Sequence, residues 1–118
     1  MDQIFAVKRV YEPKTESDGL RVLVDRLWPR GLAKARAAVD LWLKDAAPST
    51  ELRKWFAHRP DRWDEFQRRY LLELRASSAI EQLRAISRDG PVTLLYGARD
   101  GDHNEAVALA LFLAHRLI

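Results

Sequence analysis

The stretch Asp25-Arg26-Leu27-Trp28-Pro29-Arg30-Gly31 sets a carboxylate, two guanidiniums and an indole within one short turn. Proline fixes φ and the glycine after Arg30 permits a reversal, so regular structure breaks there and leaves the charges on a loop. Arg26, Arg30, Lys34 and Arg36 follow one another with no acid between positions 26 and 38, which suits an anionic ligand. The planar arginine fork matches carboxylate or phosphate, and Trp28 could stack on a base or a guanidinium. The competing reading is structural: Arg26 pairs with Asp25 or a helix carboxylate, Trp28 fills a core edge, and the other charges are solvated.

A second candidate loop reads Tyr96-Gly97-Ala98-Arg99-Asp100-Gly101-Asp102-His103-Asn104. A strand, a glycine-containing loop and a helix start together make a cradle in which unpaired N–H groups and the helix dipole favour an anion. The loop lacks the Gly-Lys-Ser/Thr of a P-loop and the spacing of a dinucleotide fingerprint. Because imidazole as a side-chain type titrates near neutrality, His103 could act as a general base beside Asp100 and Asp102, whereas Asp102 or Asn104 could be only a helix cap. One histidine is thin for a metal, with His58 near a helix end and His115 in a buried terminal helix, so no metal site is expected. Lys44, Arg53 and Lys54 could add positive charge to the same mouth or simply face water.

These loops need elements to hold them. Gln3 to Val10 is short, apolar and β-branched up to Glu12-Pro13, and reads as a strand. Tyr11 to Gly19 is turn-rich, and Leu20 to Val24 is a nearly continuous apolar run that fits a central strand. Val39 to Leu43 alternates like a short edge strand. A short helix is expected from the cap Ser49 or Thr50 to about His58, with Leu52, Trp55 and Phe56 on one face. A longer helix opens at Asp61 or Arg62 and carries Trp63, Phe66, Tyr70, Leu71 and Leu74 on one stripe. A third is capped by Ser77 or Ser78 and stops at Asp89-Gly90-Pro91. Val92 to Tyr96 is the clearest strand, and Asn104 to Ile118 is a helix apolar all round, hence buried. Helices between strands predict a small three-layer α/β domain with a mainly parallel sheet of three or four strands and helices on both faces. In such sheets ligands sit outside the carboxyl ends of the strands, which directs attention to the loops after Val24 and Tyr96.

At 118 residues the chain is one domain's worth, and 47% hydrophobic content with 11 aromatics (4 Trp, 3 Tyr, 4 Phe) fills a core. No apolar run is long enough to span a membrane, and Lys8 and Arg9 interrupt the start where a secretory signal would be apolar, so a cytoplasmic protein without a membrane partner is expected. With no cysteine there is no disulfide, thiolate zinc site, iron–sulfur cluster or thiol nucleophile. The formal charge of +3 is mild, so any anion preference depends on local clustering. Arg68, Arg69 and Arg75 could serve nucleic acid, but Asp64, Glu65 and Glu73 share their helix, and no helix-turn-helix, zinc-finger or RNA-binding signature is present.

Lys8-Arg9-Val10-Tyr11, Asp18-Gly19 through Arg21-Val22-Leu23-Val24-Asp25-Arg26-Leu27-Trp28-Pro29-Arg30-Gly31, Trp42 to Ser49, Leu52-Arg53-Lys54-Trp55-Phe56 and Leu94-Leu95-Tyr96 through Asn104 together carry a resemblance. Over nearly the whole chain the sequence resembles the YeaO-like branch of the bacterial domain of unknown function 488 family, most specifically in its Asp-Arg-x-Trp-Pro-Arg-Gly block. The resemblance implies a small cytoplasmic α/β domain and carries no reaction with it. The broader family often has Cys-x-x-Glu after the late strand and Cys-His-Arg at the following helix start. Here Tyr96 stands at the first cysteine and Asn104, Glu105 and Ala106 at the second motif, so thiol chemistry does not carry over.

The combined expectation is an anion site, best suited to a phosphate-bearing small molecule. Arg26 and Arg30 hold the anion, Trp28 and Tyr96 wall the pocket, Asp100 and Asn104 complete the ligand set, and Asp25 or His103 is the acid/base if hydrolase or transferase chemistry occurs. No cofactor is implied, and turnover and simple binding stay open. The alternative is a non-catalytic nucleic-acid or protein interaction module using the basic loop 26–36, and a third option is a site that lost its activity with the family's cysteines.

Overall fold

The structure, a computed structural model, describes residues 5–118. Four strands, β1 (Ala6–Arg9), β2 (Leu20–Leu23), β3 (Leu41–Trp42) and β4 (Val92–Tyr96), form one sheet in the order β1-β4-β2-β3 with every neighbouring pair parallel. The helices are α1 (Lys34–Ala37), α2 (Thr50–Phe56), α3 (Trp63–Arg75), α4 (Ala79–Ser87) and α5 (Glu105–Ala114). The α/β class and parallel sheet expected from the pattern are found. The Gln3-Ile4 end of the expected first strand lies outside the described residues.

Strand alternation divides the core in two. Val22, Val24, Leu94 and Tyr96 face α2 to α5 and pack with Leu52, Phe56, Phe66, Tyr70, Leu83 and Leu109. On the opposite face Val10, Leu23 and Leu95 are covered by Trp28, Leu32 and Val39 from the β2–β3 connection, which includes α1, and by Trp42 of β3. All five β4 residues are buried, because this strand has a neighbour on each edge and a layer on each face. β3 is the two-residue edge strand the alternation suggested.

Three local features depart from the sequence expectation. The basic run at positions 34–37 is a single helical turn, too short for periodicity to announce. The terminal helix ends at Ala114, so His115 is an exposed cap and not a buried helical residue, because the left-handed Arg116 (φ 55°) ends the helical path. Leu111 on the same helix is 44% exposed, so its burial is incomplete. Gly19, just before β2, has φ 61°, and a side-chain carbon there would lie 2.1 Å from the Pro91 carbonyl oxygen that accepts the Leu20 N–H, so only glycine fits.

The connections are held by two polar clusters. Arg21 on β2 is only 1% exposed; it donates to Asp18 Oδ2 at 2.8 Å and to the carbonyls of Val10, Glu12, Ala37 and Ala38. Burial acts to raise the Asp18 carboxyl, yet hydrogen bonds from Thr15, Arg21 and Lys8 outweigh it and hold the group well below the usual carboxylate range. The second cluster is Ser49, whose Oγ accepts the Leu52 N–H at 3.1 Å as the α2 cap while its own N–H and hydroxyl donate to Glu73 at 2.8 and 2.6 Å. Ser49→Ala should cost about 1–2 kcal/mol, read as a lower chemical-denaturation midpoint at unchanged slope. An unchanged midpoint would mean that packing alone docks α2 on α3.

Candidate functional site

Three strands run out into one cleft of about 830 Å³. β1 delivers Arg9 and Tyr11, β2 delivers Asp25 to Arg30, and β4 delivers Gly97 to Asn104; Arg53 and His58 come from α2 and the turn after it. Parallel strands with carboxyl ends on one side place these loops together, as the sheet logic anticipates. Phe56 and Phe66, stacked with ring centroids 4.4 Å apart, belong to the lining.

Asp25 joins the two loops singled out in the sequence. Its Oδ2 accepts the Gly97 N–H at 2.8 Å, and its backbone carbonyl accepts the Trp42 indole N–H at 2.7 Å. A side-chain carbon on Gly97 would sit 3.0 Å from that same Oδ2, so glycine allows the close approach. Burial pushes the Asp25 carboxyl up to about 6, against the Gly97 N–H and the Arg53 charge, which favour the ionised form.

The other expected residues divide by how fully the fold uses them. Arg26 Nε donates to the Pro48 carbonyl at 3.1 Å, which fixes its stem at the cleft. Trp28 donates from Nε1 to Leu32 O at 2.7 Å and meets Trp42 edge-on at 5.4 Å, leaving it anchored in the wall. Arg30 lines the cleft and makes no side-chain hydrogen bond or ion pair among the described residues; Arg53 and Arg99 share that condition. His103 Nδ1 lies 2.8 Å from Asp100 Oδ2 and its ring sits edge-on to Trp63 at 5.3 Å. Asp100 Oδ1 also accepts the N–H groups of Asp102 and His103, and the Asp102 N–H foremost, followed by the His103 side chain, pulls the Asp100 carboxyl down. This resembles the carboxylate–imidazole half of a hydrolytic triad, in which the acid fixes ring orientation and tautomer.

Two expected residues have other uses. Asn104 is buried and spent at both ends: Oδ1 caps α5 by accepting the Val107 N–H at 3.0 Å, and Nδ2 donates to Asp100 O at 3.0 Å. It borders the cleft through its position at the cap. Tyr96 points into the core with Leu94 and is not part of the cleft lining; its hydroxyl lies toward Gly101. The phase of the strand, which an apolar run such as Val92 to Tyr96 does not reveal, sends it inward.

Sequence reasoning passed over Arg9 and Tyr11 and set His58 aside at a helix end. Arg9 donates to the carbonyls of Ala98 (3.0 Å) and Gly97 (3.4 Å), with its guanidinium 4.6 Å from the Tyr11 ring centre, and Tyr11 donates to Arg30 O at 2.9 Å. They buttress both loops. The signal was present in Arg9 and Tyr11 at the end of an apolar strand, and became legible only once β1 was known to lie beside β4. His58 follows Ala57 with both residues left-handed (φ 56° and 48°), a costly pair for non-glycine residues at the edge of a cleft. Of the other basic residues expected near the mouth, Arg53 is in the lining, whereas Lys44 lies over the Trp42 ring at 4.1 Å, and Lys34, Arg36 and Lys54 are not among the lining residues. Arg68 and Arg69 both pair with Glu65, at 2.6 and 2.7 Å.

Residues 4–118 match the family model described as the inactive DUF488-N3 subclade. The chain belongs to that family. Consistent with this, it is 46% identical over 110 residues to uncharacterised proteins of Mycobacterium tuberculosis and Mycobacterium bovis, covering 93% of this chain and 93% of each relative. It is also 46% identical over 107 residues to the uncharacterised protein YeaO of Escherichia coli, covering 90% of this chain and 93% of that one. No solved structure matches. Within this DUF488-N3 chain, the cleft thus gathers Asp25, Arg26, Trp28, Arg30, Asp100, His103 and Asn104 and leaves Tyr96 in the core.

Proposed function

We propose that this chain binds a small anionic, phosphate-bearing ligand in the cytoplasm, at the cleft formed by the carboxyl ends of β1, β2 and β4, and holds it without turnover. The observation that carries the reading is the trio Arg30, Arg53 and Arg99, whose guanidiniums line the cleft and have no hydrogen bond or ion pair among the described residues. All three side chains are exposed, and guanidiniums recognise phosphate by charge-assisted, often bidentate hydrogen bonds. Binding without turnover is supported by the subclade's description as inactive and by a lining in which none of the described residues is Ser, Thr or Cys.

A second reading rests on the Asp100–His103 pair: an imidazole oriented by a carboxylate could activate water against a bound ester, which would make the site a hydrolase. The interaction-module alternative is less favoured, because Arg68 and Arg69 are tied to Glu65 and the basic run 26–36 is divided between cleft and α1.

Thermal shift with inorganic phosphate and sulfate tests the site. At a hundredfold excess over the dissociation constant, stabilisation should reach about 2.7 kcal/mol. Arg30→Ala and Arg53→Ala should each weaken binding about tenfold. Wild-type chain unmoved by either anion, or variants shifted as far as wild type, would sink the reading. Affinity for oligonucleotide that collapses steeply with salt, with no response to small anions, would move the assignment to a nucleic-acid module. Release of phosphate from simple esters that disappears in His103→Ala would replace binding by hydrolysis.

A further inference from the structure

The cleft offers more than a seat for an inorganic ion. Its volume of about 830 Å³ lies in the range of pockets that enclose most of a drug-sized molecule. Leu27, in the lining, is 59% exposed and Trp28 beside it is partly so, which gives an apolar, aromatic surface next to the guanidiniums. Such surface gains by being covered, and the hydroxyls of a phosphosugar would cover it poorly. A third element is Glu105, also in the lining. Its Oε1 is buried with no hydrogen-bond partner among the described residues. A buried acceptor without a donor is a standing cost, and the last torsion of a glutamate is soft enough to turn that oxygen toward a donor arriving in the cleft.

Resting on the anion reading above, we infer that the ligand is a nucleoside monophosphate: its phosphate meets Arg30, Arg53 and Arg99, its flat base lies against Leu27 and Trp28, and an N–H of the base or a ribose hydroxyl donates to Glu105. Each of the three groups explains a different part of the molecule. The guanidiniums call for the anion, the apolar wall for a flat ring, and the orphaned carboxylate oxygen for a hydrogen-bond donor on the neutral part.

The test is calorimetric titration of the intact chain, at one pH and salt concentration, with the four common mononucleotides, adenosine, phenyl phosphate and inorganic phosphate. At least one mononucleotide should bind about tenfold more tightly than inorganic phosphate, through stacking, and more tightly than adenosine, through its charge. Glu105→Met, which keeps the stem and removes the acceptor, should narrow the ratio of nucleotide to phosphate affinity about tenfold. Mononucleotides no better than inorganic phosphate would overturn the inference and leave the anion site standing. Phenyl phosphate as tight as the best nucleotide, or a ratio unchanged in Glu105→Met, would likewise overturn it by removing the donor from the recognition. No response to any of the anions would overturn both this inference and the anion site beneath it.

Discussion

Arg21→Met is expected to lower the free energy of unfolding by about 3–5 kcal/mol. Methionine keeps the apolar stem and removes every donor, which leaves the Asp18 carboxylate without its buried partner and strips the carbonyls of Val10, Glu12, Ala37 and Ala38 of theirs. Domains of this kind hold about 5–15 kcal/mol in all, so the variant should be partly unfolded at body temperature. The network also bears on the cleft, because Tyr11 lies between the two carbonyls Arg21 grips after β1, and Tyr11 is what supports Arg30. Urea unfolding followed by circular dichroism is the measurement. A loss below about 1 kcal/mol, the range of an exposed pair, would show that the buried guanidinium is replaceable by apolar packing.

Asp25→Asn is expected to act in the opposite direction. A carboxyl raised to about 6 in the folded chain, against an ordinary 3.8, keeps a proton that the unfolded chain has already lost at intermediate pH. Stability therefore falls as pH rises from about 4 to about 6 and stays lower above that, by up to about 3 kcal/mol. Asparagine does not ionise and still offers an oxygen to the Gly97 N–H, so the variant should be more stable than wild type at pH 7.5, by on the order of 10 °C in melting temperature. The difference should vanish below about pH 4. A gap independent of pH would show that Asp25 does not titrate in this window. The same group bears on binding, since an ionised Asp25 repels an anion. Sulfate, whose charge does not change across this range, should bind wild type more weakly as pH rises through about 6 and bind Asp25→Asn evenly. A stabilising change at a residue that lines the cleft would be the signature of a residue kept for use and not for folding.

Much of this was legible from residues alone, and the part that was not has physical causes. Pro91 and Gly97 bracket Val92 to Tyr96 so tightly that the strand could hardly be read otherwise, and the stripe from Trp63 to Leu74 identifies α3. The Asp25 to Arg30 turn could be recognised because proline, glycine and charge coincide. That Asp25 would reach Gly97, and that of Lys44, Arg53 and Lys54 only Arg53 would line the cleft, depends on how the elements pack, and local sequence says nothing of that. Arg9 and Tyr11 were hidden for the same reason. Tyr96 was misjudged because a strand buried on both faces has no polar alternation to set its phase. Asn104 was recognised as both cap and candidate ligand, and its two amide atoms are engaged within the fold.

The order β1-β4-β2-β3 also governs how the chain can assemble. β1 has one hydrogen-bonded neighbour, and it is the last strand to be made. As the polypeptide emerges, β2 can find β3 through the short path over α1, but the ladder that binds β1 has no second side until Val92 to Tyr96 arrives between them. Closing such a long loop costs entropy before any contact rewards it, so the sheet is a slow and late event in folding, and everything synthesised before it waits with apolar surface uncovered. The cleft inherits that timing: its β1, β2 and β4 walls meet only when the final strand slides into place, so no partly made chain carries a premature version of the site.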